Sequence, residues 1–231
     1  MYLSRLILNP KNRAVRRDLG DLQSLHRTLM SAFPSAQGPR TARAEMGLLY
    51  RIELEPRSPG VPLIVQSLVQ PNWSYLEPGY LLDCRGSLGV KRVDQIYESI
   101  QPGSLLRFRL RANATKKVDT KTGPDGIRRN GRRVPLTDPD AALRWLERKA
   151  AESGFRLVDV AQNPGLPDVA AIPAAGRRGT GVRGSQKVTV DSVLFEGRLQ
   201  VIDKTSFLRA LGRGIGPAKA YGCGLLSVAR G

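Results

Sequence analysis

The sequence holds one histidine, two cysteines and few aromatic residues, and each shortage argues against a class of protein. Cys84 and Cys223 lie far apart, so they cannot form a disulfide framework or a zinc cluster, and a reducing cytoplasm fits best. With His26 as the one histidine and the carboxylates scattered, no metal-ligand spacing is present. No apolar run approaches the roughly 18–20 residues of a membrane-spanning helix. The opening segment Tyr2–Leu8 is stopped by Asn9 and Pro10 and lacks the central apolar run of a signal peptide. A Gly-x-Ser-x-Gly elbow and a Walker sequence are both missing. Aromatics are 6% of residues and none sits inside a basic run, which argues against a stacking platform for single strands and towards a structured, double-stranded partner.

What is abundant is positive charge. There are 37 Lys and Arg against 20 Asp and Glu, a formal net charge of +17, and such an excess usually meets a polyanion. The excess is uneven. Residues 1–100 carry 13 basic and 9 acidic side chains, whereas residues 101–231 carry 24 and 11. A genome rich in arginine codons would raise the total but would not create that asymmetry, so the second half reads as the face towards the polyanion. At 231 residues and 41% hydrophobic content the chain can fill two small cores or one large one.

Tyr2–Leu8 reads as a strand. Apolar residues Leu19, Leu22, Leu25, Leu29, Met30 and Phe33 recur every three or four positions, which predicts a helix over 13–33 interrupted or kinked near Gly20. Leu48–Leu54 and Leu63–Val69 read as strands, and the Pro- and Gly-punctuated 71–103 resists assignment. The pattern then restarts. Leu105–Ala112 alternates apolar residues with arginine, Lys116–Arg133 is a basic loop or hairpin, and Asp138–Ser153 is a capped helix ended by Gly154. Phe155–Val160 reads as a strand and Ala161–Gly184 as a Pro/Gly/Ala-rich connection. Val188–Phe195 and Arg198–Ile202 read as a hairpin turning at Glu196-Gly197, followed by a helix over Lys204–Leu211 and a strand over Leu225–Val228. The expectation is an α+β protein of two tandem units, residues 1–100 and 101–231, each opening in the ferredoxin-like way.

Few residues can carry chemistry. His26 sits at the edge of the apolar helix face, and an unperturbed imidazole titrates near pH 6.5, where it can give or take a proton. A lone helix-edge histidine is more often an ordinary surface residue, so both readings stay open on composition alone. The segment 211–228 crowds Gly212, Gly214, Gly216, Gly222 and Gly224 beside Arg213 and Lys219. It reads either as a backbone cradle for phosphate or as a turn feeding a strand. Lys116, Lys117, Arg128, Arg129, Arg132 and Arg133, with Arg177, Arg178 and Arg183, would together make a phosphate-tracking surface. RNA cleavage would need no metal here: the substrate's 2′-hydroxyl attacks the adjacent phosphorus, given a proton carrier and positive charge.

The segments MYLSRLILNP, LHRTL, LRFRLRAN, AALRWLERKAAESGFRL, VLFEGRLQV and above all GIGPAKAYGCGLLSVA resemble the CasE family, the CRISPR-associated endoribonucleases of the type I-E Cascade complex. The family belongs to the Cas-six group of the RAMP superfamily, and the resemblance runs through nearly the whole chain. It implies two tandem ferredoxin-like (RRM-like) domains. It implies metal-independent, cofactor-free cleavage of CRISPR precursor RNA at the base of each repeat hairpin, by 2′-hydroxyl attack. It also implies that the enzyme keeps the hairpin and joins other Cascade subunits, chiefly the backbone subunit. His26 matches the family's catalytic histidine, with Arg27 beside it as an RNA contact. Arg177, Arg178 and Arg183 fall where the family places a basic hairpin on the RNA stem, and Arg213, Gly214, Gly216 and Lys219 fall in its glycine-rich motif. One departure stands out: the family carries a tyrosine three residues before the histidine, and this chain has Gln23. An amide can position a substrate but cannot act as acid or base. A catalytically weak hairpin-binding subunit is therefore the rival reading, and a general RNA-binding protein a third.

Overall fold

The computed structural model describes residues 1–34, 46–53, 58–118, 132–173, 179–183 and 186–231. Its first half opens with β1 (Tyr2–Leu8), α1 (Arg13–Gly20) and α2 (Leu22–Met30), followed by β2 (Leu49–Ile52), β3 (Val61–Ser67) and β4 (Leu88–Arg92). All pairings are antiparallel, in the order β2-β3-β1-β4. One face of this sheet packs on α1 and α2 through Leu6, Leu8, Tyr50, Leu63, Val65, Val15, Leu25 and Leu29. Burial of each of the larger aliphatic chains contributes about 1.5–3 kcal/mol. Residues 68–87, where prolines and glycines punctuate the sequence, form no helix and return to β4 as a loop whose Trp73 and Tyr80 complete the core.

A short helix, α3 (Asp94–Glu98), leads into the second half. There follow β5 (Leu105–Ala112), the hairpin β6 (Thr115–Val118) and β7 (Arg132–Pro135), α4 (Pro139–Glu152), β8 (Phe155–Leu157), β9 (Asp159–Val160), β10 (Asn163–Pro167) and β11 (Val169–Pro173). A second hairpin, β12 (Gly179–Arg183) and β13 (Gln186–Val190), precedes β14 (Val193–Val201), α5 (Lys204–Arg213), a 3₁₀ turn (Lys219–Tyr221) and β15 (Leu226–Arg230). The sheet runs β11-β14-β5-β15, with β8 on the far end of β14. Taking β8 and β11 as one lane, this order repeats that of the first sheet, so the fold is two ferredoxin-like units in tandem. Its core holds Phe108, Leu110, Trp145, Phe155, Phe195, Phe207 and Leu226, with Trp145 stacked on Phe195 at 6.3 Å.

Several expectations are corrected. The helix predicted over 13–33 is interrupted near Gly20 as expected, because Asp21 closes α1 and caps α2, but it ends at Met30. The hairpin predicted at Glu196-Gly197 does not exist: β14 passes through both residues. Gly197 is there for close approach, since a Cβ on it would lie 2.2 Å from the Asp168 carbonyl. The hairpin pairing comes earlier, between β12 and β13. The Pro/Gly/Ala-rich 161–184 contains β10, β11 and β12, and 71–103 contains β4 and α3. Phe155–Val160 is two short strands.

The halves are tied by side chains of the first sheet reaching carbonyls of the second half. The Tyr50 hydroxyl donates to Ala220 O at 2.9 Å, and Gln66 Nε2 donates to Leu211 O at 2.6 Å. Buried Arg51 donates to Arg109 O at 3.0 Å and Leu225 O at 3.1 Å. Its charge is balanced by Glu53, 2.6 Å away, which also meets Arg109 at 3.0 Å. A charge this deeply buried persists only when so paired.

Candidate active site

The site is built on α2. Asp21 caps it, accepting from the Gln23 and Ser24 amides at 3.1 Å each and from the Ser24 hydroxyl at 2.7 Å. These bonds, the Ser24 hydroxyl foremost, hold the Asp21 carboxyl below its ordinary value. Leu25 and Leu29 are the buried stripe that fixes the helix on the sheet. At about 100° per residue, His26 and Thr28 leave that stripe on opposite flanks, and Gln23 and Arg27 ride the crest between them. His26 and Gln23 are half-buried one turn apart, and Arg27 is exposed.

Two elements of the second half pack against α2: the 3₁₀ turn of 219–221 and strand β12. The turn carries Lys219, half-buried, and Tyr221. It enters through Ala218, held at φ +62°, a left-handed conformation rare for a residue with a Cβ. The Tyr50 bond to Ala220 props it from below. The glycines around it are explained by packing. A Cβ on Gly216 would meet the Trp145 ring at 3.0 Å, one on Gly214 would meet Leu49 at 2.8 Å, and one on Gly222 would meet the Tyr50 ring at 3.0 Å. All three have positive φ. Of the two readings of this motif, the turn feeding a strand accounts for the glycine identities.

The register then shows how distant basic segments converge. Ala112 of β5 pairs with Val193 of β14, and Val193 pairs with Pro173 of β11. Gly224 N donates to Arg111 O at 2.7 Å beside the same end of β5. The β6–β7 hairpin, the β12–β13 hairpin and the glycine-rich segment therefore all leave or enter at one end of the second sheet. Lys116, Lys117 and Arg133 are exposed on the β6–β7 hairpin, whose β7 backbone also carries Arg132. Arg183 lies on β12 and Arg213, exposed, closes α5. Arg128, Arg129, Arg177 and Arg178 lie outside the described residues.

Elsewhere, a cleft of about 790 Å³ lies over the open face of the second sheet. Much of its charge is paired within the protein: Arg109 with Glu53 and Glu196, and Arg198 with Asp168 at 2.5 Å. No histidine lines it. Among the described residues no three His, Cys, Asp or Glu side chains gather as a metal-binding group, and no helix is long and apolar enough to cross a membrane.

The protein is thus a tandem ferredoxin-like fold whose histidine-bearing helix packs on a glycine-rich turn and on strand β12. The chain belongs to the CRISPR-associated protein family, whose model matches residues 1–230. It is 38% identical over 234 residues to the CRISPR-associated endoribonuclease Cse3 of Thermus thermophilus, covering 99% of this chain and 100% of that protein. It is 32% identical to the CRISPR system Cascade subunit CasE of Escherichia coli K12, covering 99% of each. Its fold matches the structure of Thermus thermophilus Cse3 bound to an RNA representing a pre-cleavage complex, with a TM-score of 0.76, 36% identity and coverage of 99% of this chain and 98% of that one.

Proposed function

We propose that this chain is an endoribonuclease that cuts CRISPR precursor RNA at the base of each repeat hairpin and keeps the hairpin as a subunit of Cascade. The observation that carries the reading is the convergence of three basic or glycine-rich segments, two of which pack on the histidine-bearing helix. Residues 1–100 supply the proton chemistry and residues 101–231 hold the RNA stem. Lys116, Lys117, Arg132, Arg133, Arg177, Arg178 and Arg183 serve the stem, and Arg213 and the glycine-rich segment line its base. The other Cascade subunits, the backbone subunit first, are its protein partners.

In the reaction the 2′-oxygen attacks the neighbouring phosphorus, the phosphorus–5′-oxygen bond breaks, and a 2′,3′-cyclic phosphate and a 5′-hydroxyl result. One proton leaves the 2′-hydroxyl and one reaches the 5′-oxygen, and the His26 imidazole can serve at either end. Arg27 and Lys219 lie on the elements that would flank the phosphorane, where positive charge lowers the barrier. Gln23, one turn before His26, positions the phosphate by its amide.

The test is single-turnover cleavage of the cognate repeat RNA in EDTA, wild type beside His26→Ala. The expected result is one product from wild type, a loss of about 10²–10⁴-fold in the variant, and unchanged RNA binding. Tight binding without product from either protein would favour the hairpin-binding subunit, a reading to which Gln23 in the family's tyrosine position lends weight.

A further inference from the structure

The first half carries an arginine cluster that the charge count conceals. On α1, Arg13, Arg16 and Arg17 are all exposed, and their spacing of three and four puts them on one face. Where α1 meets α2, a cavity of about 330 Å³ is lined by Arg17, Arg27, Ser24, Thr28, Ser31 and Tyr75, with Asp18 at its floor. The four hydroxyls donate inward, Ser24 to Asp21, Thr28 to Asp18, Ser31 to the Arg27 carbonyl and Tyr75 to the Thr28 carbonyl, so the donors left for a phosphate are the two guanidinium groups.

The hollow is built around Asp18, which is fully buried. One of its oxygens accepts from the Thr28 hydroxyl at 2.6 Å and the Tyr80 hydroxyl at 2.9 Å. The other faces Arg17 Nε at 3.0 Å and Nη2 at 2.9 Å. The carboxylate thus tethers a guanidinium that remains 64% exposed, and two of its five N–H groups are enough for the tether. Arg27, 72% exposed, is steadied by Nη2 donating to Ser24 Oγ at 3.2 Å. Tyr75 is part-exposed at the rim, and its hydroxyl is fixed on the Thr28 carbonyl. Such a ring presents a face on which one unpaired base can stack. On the other side of Arg17 lies a second hollow, lined by Arg13, Ala14, Arg17 and Glu77, and Asn12 Nδ2 donates to that glutamate at 3.0 Å. Arg17 is shared by both.

Position selects the ligand. The Thr28 flank of α2 faces this cavity, the His26 flank is the opposite one, and Arg27 stands on the crest between them. A strand leaving the cleaved phosphate and crossing Arg27 arrives at Arg17 and then Arg13. We infer that the α1–α2 groove is a subsite for the single-stranded RNA on the 3′ side of the cut, its phosphates held by Arg27, Arg17 and Arg13 and one base on Tyr75. This rests on the RNA-cleaving reading. The subsite adds contacts to the precursor that the cleaved hairpin cannot make, so it favours capture of uncut RNA while the stem contacts alone hold the product hairpin.

The experiment compares two RNAs, the repeat hairpin ending at the cleavage site and the same hairpin with a short single-stranded 3′ extension. Both are titrated against the full chain carrying His26→Ala, alone and with Arg17→Ala or Arg13→Ala added. The extension should tighten binding by about tenfold in the His26→Ala protein. Arg17→Ala should abolish that gain and leave hairpin binding as it was. Arg13→Ala, which leaves the Asp18 tether intact and so carries little folding risk, should reduce the gain. The salt slope for the extended RNA should fall by about one per phosphate contact removed. Equal tightening in all three proteins, or none in the His26→Ala protein, overturns the subsite and leaves the nuclease reading standing. Failure of the His26→Ala protein to bind either RNA overturns the nuclease reading itself.

Discussion

Gln23 occupies a position where proton transfer and positioning can be separated by experiment. It sits one turn from His26 on α2, its own amide pinned by Asp21. If its side chain only orients the phosphate, Gln23→Ala should slow single-turnover cleavage by about tenfold with RNA binding unchanged, and Gln23→Glu should slow it further by repelling the phosphate. A wild-type rate in Gln23→Ala would remove the role. Asp18 gives a contrasting case, since its work is structural. Replacing it with alanine leaves the Thr28 and Tyr80 hydroxyls without their buried acceptor. We expect a loss of about 2–4 kcal/mol in urea-induced unfolding. His26 stood out in the sequence as the only histidine, but its role was suggested by the family resemblance and not by its being alone. Asp18 was not, because nothing in a helix pattern distinguishes a buried aspartate from an exposed one until Tyr80 is brought over it from 62 residues away.

At the scale of elements, the helices were the most legible parts. Asp138 caps α4 as its sequence suggests, and β5 has the bounds its alternation predicts. Glycine misled. Gly197 looks like a turn residue and is mid-strand, because its role is set by a neighbouring carbonyl that no local pattern reveals. The glycine-rich motif shows the same logic, and Gly216→Ala tests it. With φ +79° and the Trp145 ring at 3.0 Å, the substitution should destabilise the protein by about 1–3 kcal/mol, read as a lowered melting temperature. Acid offers a second test. Asp21 and Asp203 cap α2 and α5, and in each the first-turn serine hydroxyl is the main cause holding the carboxyl below its ordinary 3.8. A depressed folded value means that the caps contribute fully above that pH and fade as pH falls below it. Stability should therefore decline on acidification from about pH 4, and Asp21→Asn, which keeps a capping oxygen, should flatten part of that decline.

For the whole molecule, the charge asymmetry between halves pointed to the second half as the side facing a polyanion but hid two things. One is the arginine cluster on α1, masked in the count by the acids of the first half. The other is convergence, since β6–β7, β12–β13 and the glycine-rich segment share one end of a sheet only through the registers of β5, β11 and β14. Strand pairing at such separations leaves no trace in a single sequence, because any alternating segment could take either lane. With so many basic side chains at one end, RNA binding should weaken steeply with salt, by about 10³-fold or more between 50 and 200 mM for six or more phosphate contacts. A filter-binding series checks this, and a shallow slope would mean that few of those charges reach the RNA.

The seam between the halves has a direction. Tyr50, Arg51 and Gln66 of the first sheet reach across it, and what receives them are the carbonyls of Ala220, Arg109, Leu225 and Leu211. Carbonyls are common to every amino acid, so the receiving side tolerates most substitutions that preserve the backbone, provided that Gly214 and Gly222 stay small beside Leu49 and Tyr50 and Arg109 still meets Glu53. The reaching side depends on three particular residues. Recombination between homologues should accordingly be lopsided: this first half ought to accept foreign second halves, whereas a foreign first half would dock only if it brought an equivalent tyrosine, arginine and glutamine.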